Sequence, residues 1–181
     1  MKKITIISVL LASVLAFYSC ENFNPPIEIP LSSVVIELDD IEVANDAKGE
    51  LNSFSTTQNV SYSTIVGLTE EALNSMSRIE SIDVNSLFIT ITSNDEMGTV
   101  VEDFVIKVDQ LPDFTIDQYL LGTSYTVPNI GTYASQLLMK ILSNESVDIN
   151  LSGKTDVTSG ENLKVTITLN DVILVAKVLN I

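Results

Sequence analysis

The sequence predicts an all-β protein, a two-sheet antiparallel β-sandwich of the immunoglobulin-like type with one short crossover helix. Apolar and polar residues alternate with a period of two in several separate segments, as in strands with one buried face. Clusters of Ser, Asn, Asp and Gly separate these segments. The helical patterns are too short for an α/β fold, and a closed β-barrel is the alternative. Because the Cys–Trp–Cys core of antibody domains is absent, the prediction concerns the architecture and not that family.

Residues 1–19 are expected to form a lipoprotein signal peptide. Lys2 and Lys3 supply a positive start, and residues 4–17 form a mostly apolar run. In a helix this run would rise about 21 Å, less than the roughly 30 Å hydrocarbon core, so a permanent transmembrane helix is not expected. Ser19 is the small residue before the cleavage point, and Cys20 is the expected lipidation site. The alternative is an ordinary signal peptide in which Cys20 is incidental.

The end of this segment resembles the signals of bacterial lipoproteins. Residues 17–20 read Phe-Tyr-Ser-Cys, and the last two positions match the lipoprotein box. The Met-Lys-Lys start and a body rich in Asn, Asp, Ser and Thr are similar to lipoproteins of the Bacteroidota. The resemblance implies an outer-membrane lipoprotein with acyl chains such as palmitate at Cys20. Its domain would face either the periplasm or the cell surface, and the single acidic residue after the cysteine, Glu21, leaves both open.

Residues 20–30 are interpreted as the lipidated cysteine and a proline-rich tether, and residues 31–181 as a single β-sandwich domain. Pro25, Pro26 and Pro30 lie in the tether. Because proline fixes φ and has no backbone donor, this composition indicates an extended spacer. A body of this length is ordinary for one domain.

Eight or nine strands are expected in the domain. The clearest alternating patterns occupy residues 34–38, 87–92, 147–151 and 163–169. Weaker patterns run from Val60 to Val66, from Val100 to Val108, from Tyr119 to Val127 and from Ile79 to Val84. The C-terminal run completes the set.

Two segments have helical patterns. Thr69, followed by two glutamates, predicts a capped helical turn, because its hydroxyl can accept backbone N–H groups at the positive end of a helix. Residues 133–143 predict a longer helix after Thr132, with Lys140 in its last turn. We expect this helix to pack against a sheet edge or end through apolar residues at helical spacing, namely Ala134, Leu138, Ile141 and Leu142.

The C-terminal run from Val172 to Ile181 is apolar at almost every position. The favoured interpretation is a central strand buried on both faces, or a bulged one, since apolar runs normally belong to the core. The alternative is an edge strand offered to another subunit, as in the donor-strand assembly of surface fibres.

The composition excludes several functions. All 24 acidic residues but only seven of the nine basic ones follow residue 19, so the body has a formal charge of −17. This charge repels nucleic acid and anionic head groups. The chain contains no His, and its only cysteine is the predicted lipidation site, which removes the usual general base, zinc ligands and disulfides. With no Trp, few aromatic platforms remain for sugars.

No residue pattern marks a catalytic or cofactor site. Asp39 and Asp40 begin one acidic cluster, and Asp95 and Glu96 belong to another, so these four are weak candidates for calcium ligands. Solvated loops are the favoured interpretation because the clusters are short and no EF-hand formula is present. A carboxylate-based hydrolase would need two acids facing each other across a cleft, and nothing in the sequence singles out such a pair.

The body resembles a loosely defined group of small Bacteroidota lipoproteins of uncharacterised function. The resemblance lies in residues 78–87, in the Ile-Thr strand that follows them, and in residues 151–156. It implies no catalytic residues. The expected function is therefore a membrane-anchored, non-enzymatic binding or accessory module of the cell envelope, with an envelope protein or a glycan as partner. The alternatives are a structural subunit that uses the C-terminal strand and, third, a hydrolase.

Overall fold

The computed structural model describes residues 25–46, 50–95, 98–127, 131–144 and 146–178. It contains eight strands among these residues: β1 (Ile27–Glu42), β2 (Asn52–Val60), β3 (Ile79–Ser93), β4 (Val100–Val108), β5 (Phe114–Leu120), β6 (Ser124–Thr126), β7 (Val147–Thr155) and β8 (Asn162–Ala176). Two α-helices interrupt them, α1 (Glu70–Ser75) and α2 (Gly131–Ser143). Short 3-10 turns occupy Tyr62–Thr64 and Met76–Arg78. In the described part of the chain, no helix has the length and apolarity needed to cross a bilayer.

The strands form two antiparallel four-stranded sheets, with the orders β1-β8-β3-β6 and β2-β7-β4-β5. The first strand pairs with the last, the second with the seventh, the third with the sixth, and the fourth with the fifth. The predicted β-sandwich is confirmed, and the two sheets do not close into the alternative barrel. Its strand order is that of a jelly roll, whereas immunoglobulin domains place their first and second strands side by side.

Alternation along the strands produces the core. In β8, Leu163, Val165, Ile167 and Leu169 are buried and alternate with residues that are only partly covered. These side chains point between the sheets because successive residues of a strand face opposite sides. The same pattern buries alternate residues of β1, β3, β4 and β7.

Several predicted strand boundaries differ from the observed ones. The 79–84 and 87–92 patterns belong to one continuous strand, β3. The predicted strand from Val60 to Val66 is wrong, because β2 ends at Val60 and a 3-10 turn follows. The predicted strand from Tyr119 to Val127 is divided by a turn into the end of β5 and the short β6.

The strand β2 carries no clear alternating signal. Only Phe54 and Val60 of its residues are buried, since β2 is an edge strand of the second sheet. Its remaining side chains are Asn, Ser, Thr and Gln. A polar edge strand of this kind reduces edge-to-edge association with other chains.

The domain begins earlier than predicted. The strand β1 starts at Ile27 and not near Leu31, so the last four residues of the predicted tether belong to the sandwich. Pro30 lies inside β1 opposite Ile173. A proline is tolerated there because β1 is an edge strand, with a ladder on one side only. The predicted signal peptide and Cys20 lie outside the described residues.

The C-terminal run is neither an edge strand nor buried on both faces. Its first residues extend β8, which pairs with β1 on one side and β3 on the other. Val172 and Leu174 are buried, whereas Ile173 between them is 38% exposed. The donor-strand interpretation therefore does not fit the described part of the run, and residues 179–181 lie outside it.

Both predicted helical segments are present. The Thr69 hydroxyl accepts a hydrogen bond from the N–H of Ala72 at 3.2 Å, which confirms the predicted cap of α1. The helix α2 begins at Gly131, two residues before the predicted start, so Thr132 lies in its first turn. All four predicted apolar residues of α2 are buried, and Leu137 joins them.

The helix α2 covers the half of the β3 edge that β6 leaves free. The strand β6 pairs only with Phe88, Ile89 and Thr90 of β3. Nearer the start of β3, a Cβ added at Gly131 would lie 3.4 Å from the carbonyl oxygen of Val84, so the helix begins close to the strand. Covering an edge with a helix protects its unpaired backbone groups.

The sandwich has two ends, which we call proximal and distal. The proximal end contains the start of β1 at Ile27 and its neighbours, Ala176 and Ile79. The distal end contains the other end of β1, where Glu42 pairs with Asn162. In the second sheet, Ala44↔Ser53 marks the distal end, so the β4–β5 turn and the start of β7 lie at the proximal end.

Candidate functional site

The predicted metal ligands Asp39 and Asp40 lie inside β1, at a bulge and not in a loop. The β1–β8 register shifts between Leu38 and Ile41, and Asp40 has a φ of 55°. The amine of Lys164 lies 3.2 Å from the Asp39 carboxylate and 3.1 Å from that of Glu37. Hydrogen bonds to Glu37 and Asp39 raise the pKa of Lys164 above its ordinary value. A lysine therefore already compensates the charge of Asp39.

The second acidic cluster stabilises a loop. The Asp95 carboxylate accepts a hydrogen bond from the N–H of Thr158 at 2.6 Å, and Glu96 lies outside the described residues. Asn94 shares a distal depression of about 350 Å³ with Asp39 and Asp40. Among the described residues no group of three or more His, Cys, Asp or Glu could hold a metal ion.

A groove of about 750 Å³ lies at the proximal end, and we call it the α2 groove. It lies where α2 meets β3, the β4–β5 turn and the start of β7. Its apolar residues are Ile82, Leu111, Met139 and Val147. Ile82 and Val147 are each 5% exposed, so they belong to the protein core as well as to the groove.

The remaining lining of the α2 groove is hydrophilic. Its members carry amide, hydroxyl, carboxylate or amine groups and are Asp109, Gln110, Ser135, Gln136, Lys140, Ser143, Asn144, Ser146 and Asp148. No aromatic ring is among the described residues that line this groove. The lining thus combines apolar contact with many hydrogen-bond donors and acceptors.

Hydrogen bonds hold the walls of the groove. The amine of Lys140 donates to the side-chain oxygen of Gln110 at 3.5 Å, which links α2 to the β4–β5 turn. At the end of α2, the carbonyl of Lys140 accepts from the side-chain amide of Asn144 at 2.6 Å and from the backbone N–H of the same residue at 3.2 Å. On the opposite wall, the Asn59 amide donates to Asp148 at 2.7 Å. These contacts preorganise the groove in the absence of a ligand.

A second depression of about 440 Å³ continues the groove along α2. It shares Ile82, Ser135 and Gln136 with the first and reaches the start of the helix at Gly131. The hydrophilic side of α2 therefore borders both depressions, which meet at Ile82, Ser135 and Gln136.

The opposite side of α2 faces the sandwich interior. The Tyr133 ring packs on Phe114 with 6.2 Å between ring centroids, and Leu137 beside it is buried. Within the described structure the Tyr133 hydroxyl is buried without a hydrogen-bond partner. Burial, followed by the charge of Asp113, raises the pKa of Tyr133 to about 12. The hydroxyl is therefore neutral at physiological pH.

The ionisable side chains of the described lining are Asp109, Lys140 and Asp148. A serine nucleophile needs an adjacent base, and the base present among the groove side chains, Lys140, donates to Gln110. Asp109 and Asp148 are the carboxylates of the lining, and Asp148 is held by Asn59. Hydrogen bonding and apolar contact are what this set of groups supplies.

Sequence reasoning did not find the α2 groove. Its residues come from three separate segments of the chain, around position 82, at 109–111 and at 135–148. No local motif joins these segments. The one available signal was the amphipathic pattern of α2, whose buried side the sequence identified. Its hydrophilic side, with Ser135, Gln136 and Lys140, is the side that borders the groove.

The fold and this site define a jelly-roll β-sandwich with a hydrophilic groove beside its long helix. No protein-family model matches the chain, and no curated protein matches it. Among solved structures, a decameric BFDV capsid protein is similar with a TM-score of 0.41 and 9% identity, over 83% of this chain and 99% of that one. Desmodium yellow mottle tymovirus is similar with a TM-score of 0.36 and 9% identity, over 88% of this chain and 93% of that one. At these values neither likeness bears on activity or assembly.

Proposed function

We propose that the protein is a membrane-anchored extracytoplasmic lipoprotein that acts as a non-enzymatic binding or accessory module of the cell envelope. The observation that carries this proposal is the preformed α2 groove, with its apolar floor and hydrogen-bonding walls. Concave sites that combine apolar contact with a few convergent polar groups are the usual form of binding sites.

The anchor rests on Cys20, the only cysteine of the chain. Six residues separate it from Ile27, where β1 begins, so the sandwich would be held close to the membrane surface. Incorporation of labelled palmitate into the wild type, and its loss together with membrane association in Cys20→Ser, tests this part of the proposal. Membrane retention of unlabelled Cys20→Ser would contradict it.

Binding through the groove is tested by Gln136→Arg. Gln136 is exposed on α2 and borders both depressions. A longer cationic side chain at this position therefore obstructs both of them with little cost to folding. We expect at least a tenfold loss in the recovery of envelope partners on the anchored protein. Gln118→Arg makes the same change at an exposed position of β5, outside the groove, and is the matched control. Equal recovery by both variants would remove the groove as the binding site.

The hydrolase alternative has a direct test. Asp109 and Asp148 are the two carboxylates that line the groove, so any carboxylate-based hydrolysis there depends on them. On the proposed function, Asp109→Asn combined with Asp148→Asn leaves glycan-hydrolysis assays at the same background level as the wild type. A wild-type activity that disappears in the double variant would establish the hydrolase instead.

A further inference from the structure

We infer that the α2 groove binds a polypeptide segment of a protein embedded in the same membrane as the anchor. This inference rests on the proposed function, because it uses the position of the lipidated Cys20. It deepens that function by naming the class of partner and the place where binding occurs.

The first argument is the position of the groove. Ile82 of its floor is three residues from Ile79, which pairs with Ala176 at the proximal end, where Ile27 also pairs. The turn after β4 and the start of β7, which complete the groove, lie at the same end. The groove and the entry point of the tether therefore share one end of the sandwich.

The second argument is the reach of the tether. From Cys20 to Ile27 there are seven Cα–Cα steps, which span at most about 25 Å when extended. The distal end lies a further distance of roughly 50 Å along β1, whose sixteen residues each rise about 3.3 Å. The tether thus restricts the proximal end, and with it the groove, to the neighbourhood of the bilayer surface.

The third argument is the chemistry of the lining. Backbone amides of a polypeptide can pair with the side-chain amides and hydroxyls of Gln110, Gln136 and Ser135, while its apolar side chains contact the floor. The lining has two carboxylates, Asp109 and Asp148, against one amine, Lys140, and the body has a formal charge of −17, so anionic lipid head groups are repelled. The described lining offers a glycan no aromatic ring of the kind on which sugars commonly stack. A neutral or basic polypeptide fits the site best.

The test uses the full-length lipidated protein in its native membrane, with a photo-crosslinking amino acid at Gln136 or, as the control, at Ser159. Both positions are exposed, and Ser159 lies in the distal turn between β7 and β8. We expect an adduct from position 136, and not from position 159, with a protein that resists extraction from the membrane by carbonate. Unchanged thermal unfolding of both substituted proteins establishes that each one is folded.

A longer tether tests whether the partner is confined to the membrane surface. Inserting thirty Gly/Ser residues after Pro26 enlarges the volume that the groove explores, so its effective concentration at the surface falls by roughly tenfold. We expect the yield of the adduct at position 136 to fall by a similar factor. An unchanged yield would overturn a partner confined to the membrane.

The other outcomes separate this inference from the proposed function. An adduct at position 136 with lipid, with glycan or with a carbonate-extractable protein overturns the class of partner but leaves a binding module. An adduct at position 159 alone overturns the groove as the site and also leaves a binding module. The absence of adducts at both positions overturns the inference, whereas the proposed function is overturned only if the wild-type anchored protein also recovers no envelope partner.

Discussion

Two tyrosines of this protein, the buried Tyr119 and the partly buried Tyr133, differ in the hydrogen bonding of their hydroxyl groups. The hydroxyl of Tyr119 accepts from the N–H of Ile91 at 3.1 Å and donates to the carbonyl of Thr123, so it joins β5 to β3. The hydroxyl of Tyr133 is buried without a partner among the described residues. An unsatisfied buried hydroxyl costs free energy, whereas a satisfied one stabilises modestly. Removing the hydroxyl is therefore expected to change the stability of the protein differently at the two positions.

Tyr133→Phe is expected to leave stability unchanged or to increase it by about 1 kcal/mol, because the ring contacts remain and the desolvated hydroxyl is removed. Tyr119→Phe is the control and is expected to lower stability by about 1–3 kcal/mol, since it leaves the buried N–H of Ile91 without its acceptor. Urea unfolding of the two variants measures the difference. Equal destabilisation would show that Tyr133 has a partner in solution.

Asp156 is a structural carboxylate in the turn after β7. One of its oxygens accepts from the N–H groups of Thr99 and Val100, each at 2.8 Å, and the other from the Thr99 hydroxyl at 2.6 Å. Partial burial acts to raise the pKa of Asp156, but these hydrogen bonds outweigh burial and lower it below its ordinary value. The ionised form therefore fastens the distal turn to the start of β4.

The lowered pKa of Asp156 gives a pH-dependent contribution to stability. This contribution is fully present above about pH 4, where the carboxyl is ionised in both the folded and unfolded states. It is lost as the pH falls through the lower pKa of the folded state. Asp156→Asn is expected to destabilise the protein by about 1–3 kcal/mol at pH 7 and by less in acid. Urea unfolding at pH 7 and pH 3 measures this, with the exposed Asp117→Asn on β5 as control. A loss for Asp156→Asn that does not change with pH would contradict the assignment.

At the scale of elements, the decisive feature is the central position of β8. Its last third, from Val172 to Ala176, pairs with β1 on one side and with β3 on the other. Because β8 has neighbours on both sides, its apolar side chains are explained by packing within this chain. The run has apolar side chains on both faces of the strand, but the face that carries Ile173 is exposed.

Neighbouring residues of β8 test this arrangement. Leu174→Ala is expected to lower stability by about 2–5 kcal/mol, because it opens a cavity between the sheets. Ile173→Ala, at a 38% exposed position, is expected to cost less than about 1 kcal/mol. Guanidinium unfolding of both variants measures the ratio. Similar losses would indicate that both faces of the strand are covered, as in a strand buried within an assembly.

The helix α2 shows how an element can serve the core and a surface at once. Its buried side, which includes Leu138 and Ile141, closes the space beside β3. Its other side, which includes Gln136 and Lys140, borders the α2 groove. Packing in the core constrains the residues of the first side. The residues of the second side are not constrained in this way and are available to contact a ligand.

At the scale of the whole molecule, the jelly roll brings together residues that are far apart in the chain. Ile27 pairs with Ala176, so the first and last strands close the first sheet. Loops of both sheets meet at the proximal end, and the groove forms there. Ile27, where the first strand begins, lies at the same end, so the proposed lipid anchor at Cys20 would hold the groove near a membrane.

The amino-acid sequence by itself determined the all-β class, the sandwich architecture and the buried side of α2. These features are local, because a period of two or of 3.6 residues is visible within one segment. The same alternation located most of β3, β4, β7 and β8. The predicted lipidation of Cys20 also comes from sequence alone and stays a prediction.

Only the tertiary structure decided the pairing of the strands, the central place of β8 and the existence of the groove. Pairing of β1 with β8 depends on contacts between the two ends of the chain, which no local pattern records. The polar strand β2 exists because β7 supplies its hydrogen bonds, although its own sequence buries little. The α2 groove likewise depends on contacts between segments that are distant in the chain. Its walls are surface residues of separate segments, and surface residues are free of the periodicity that burial imposes on a sequence.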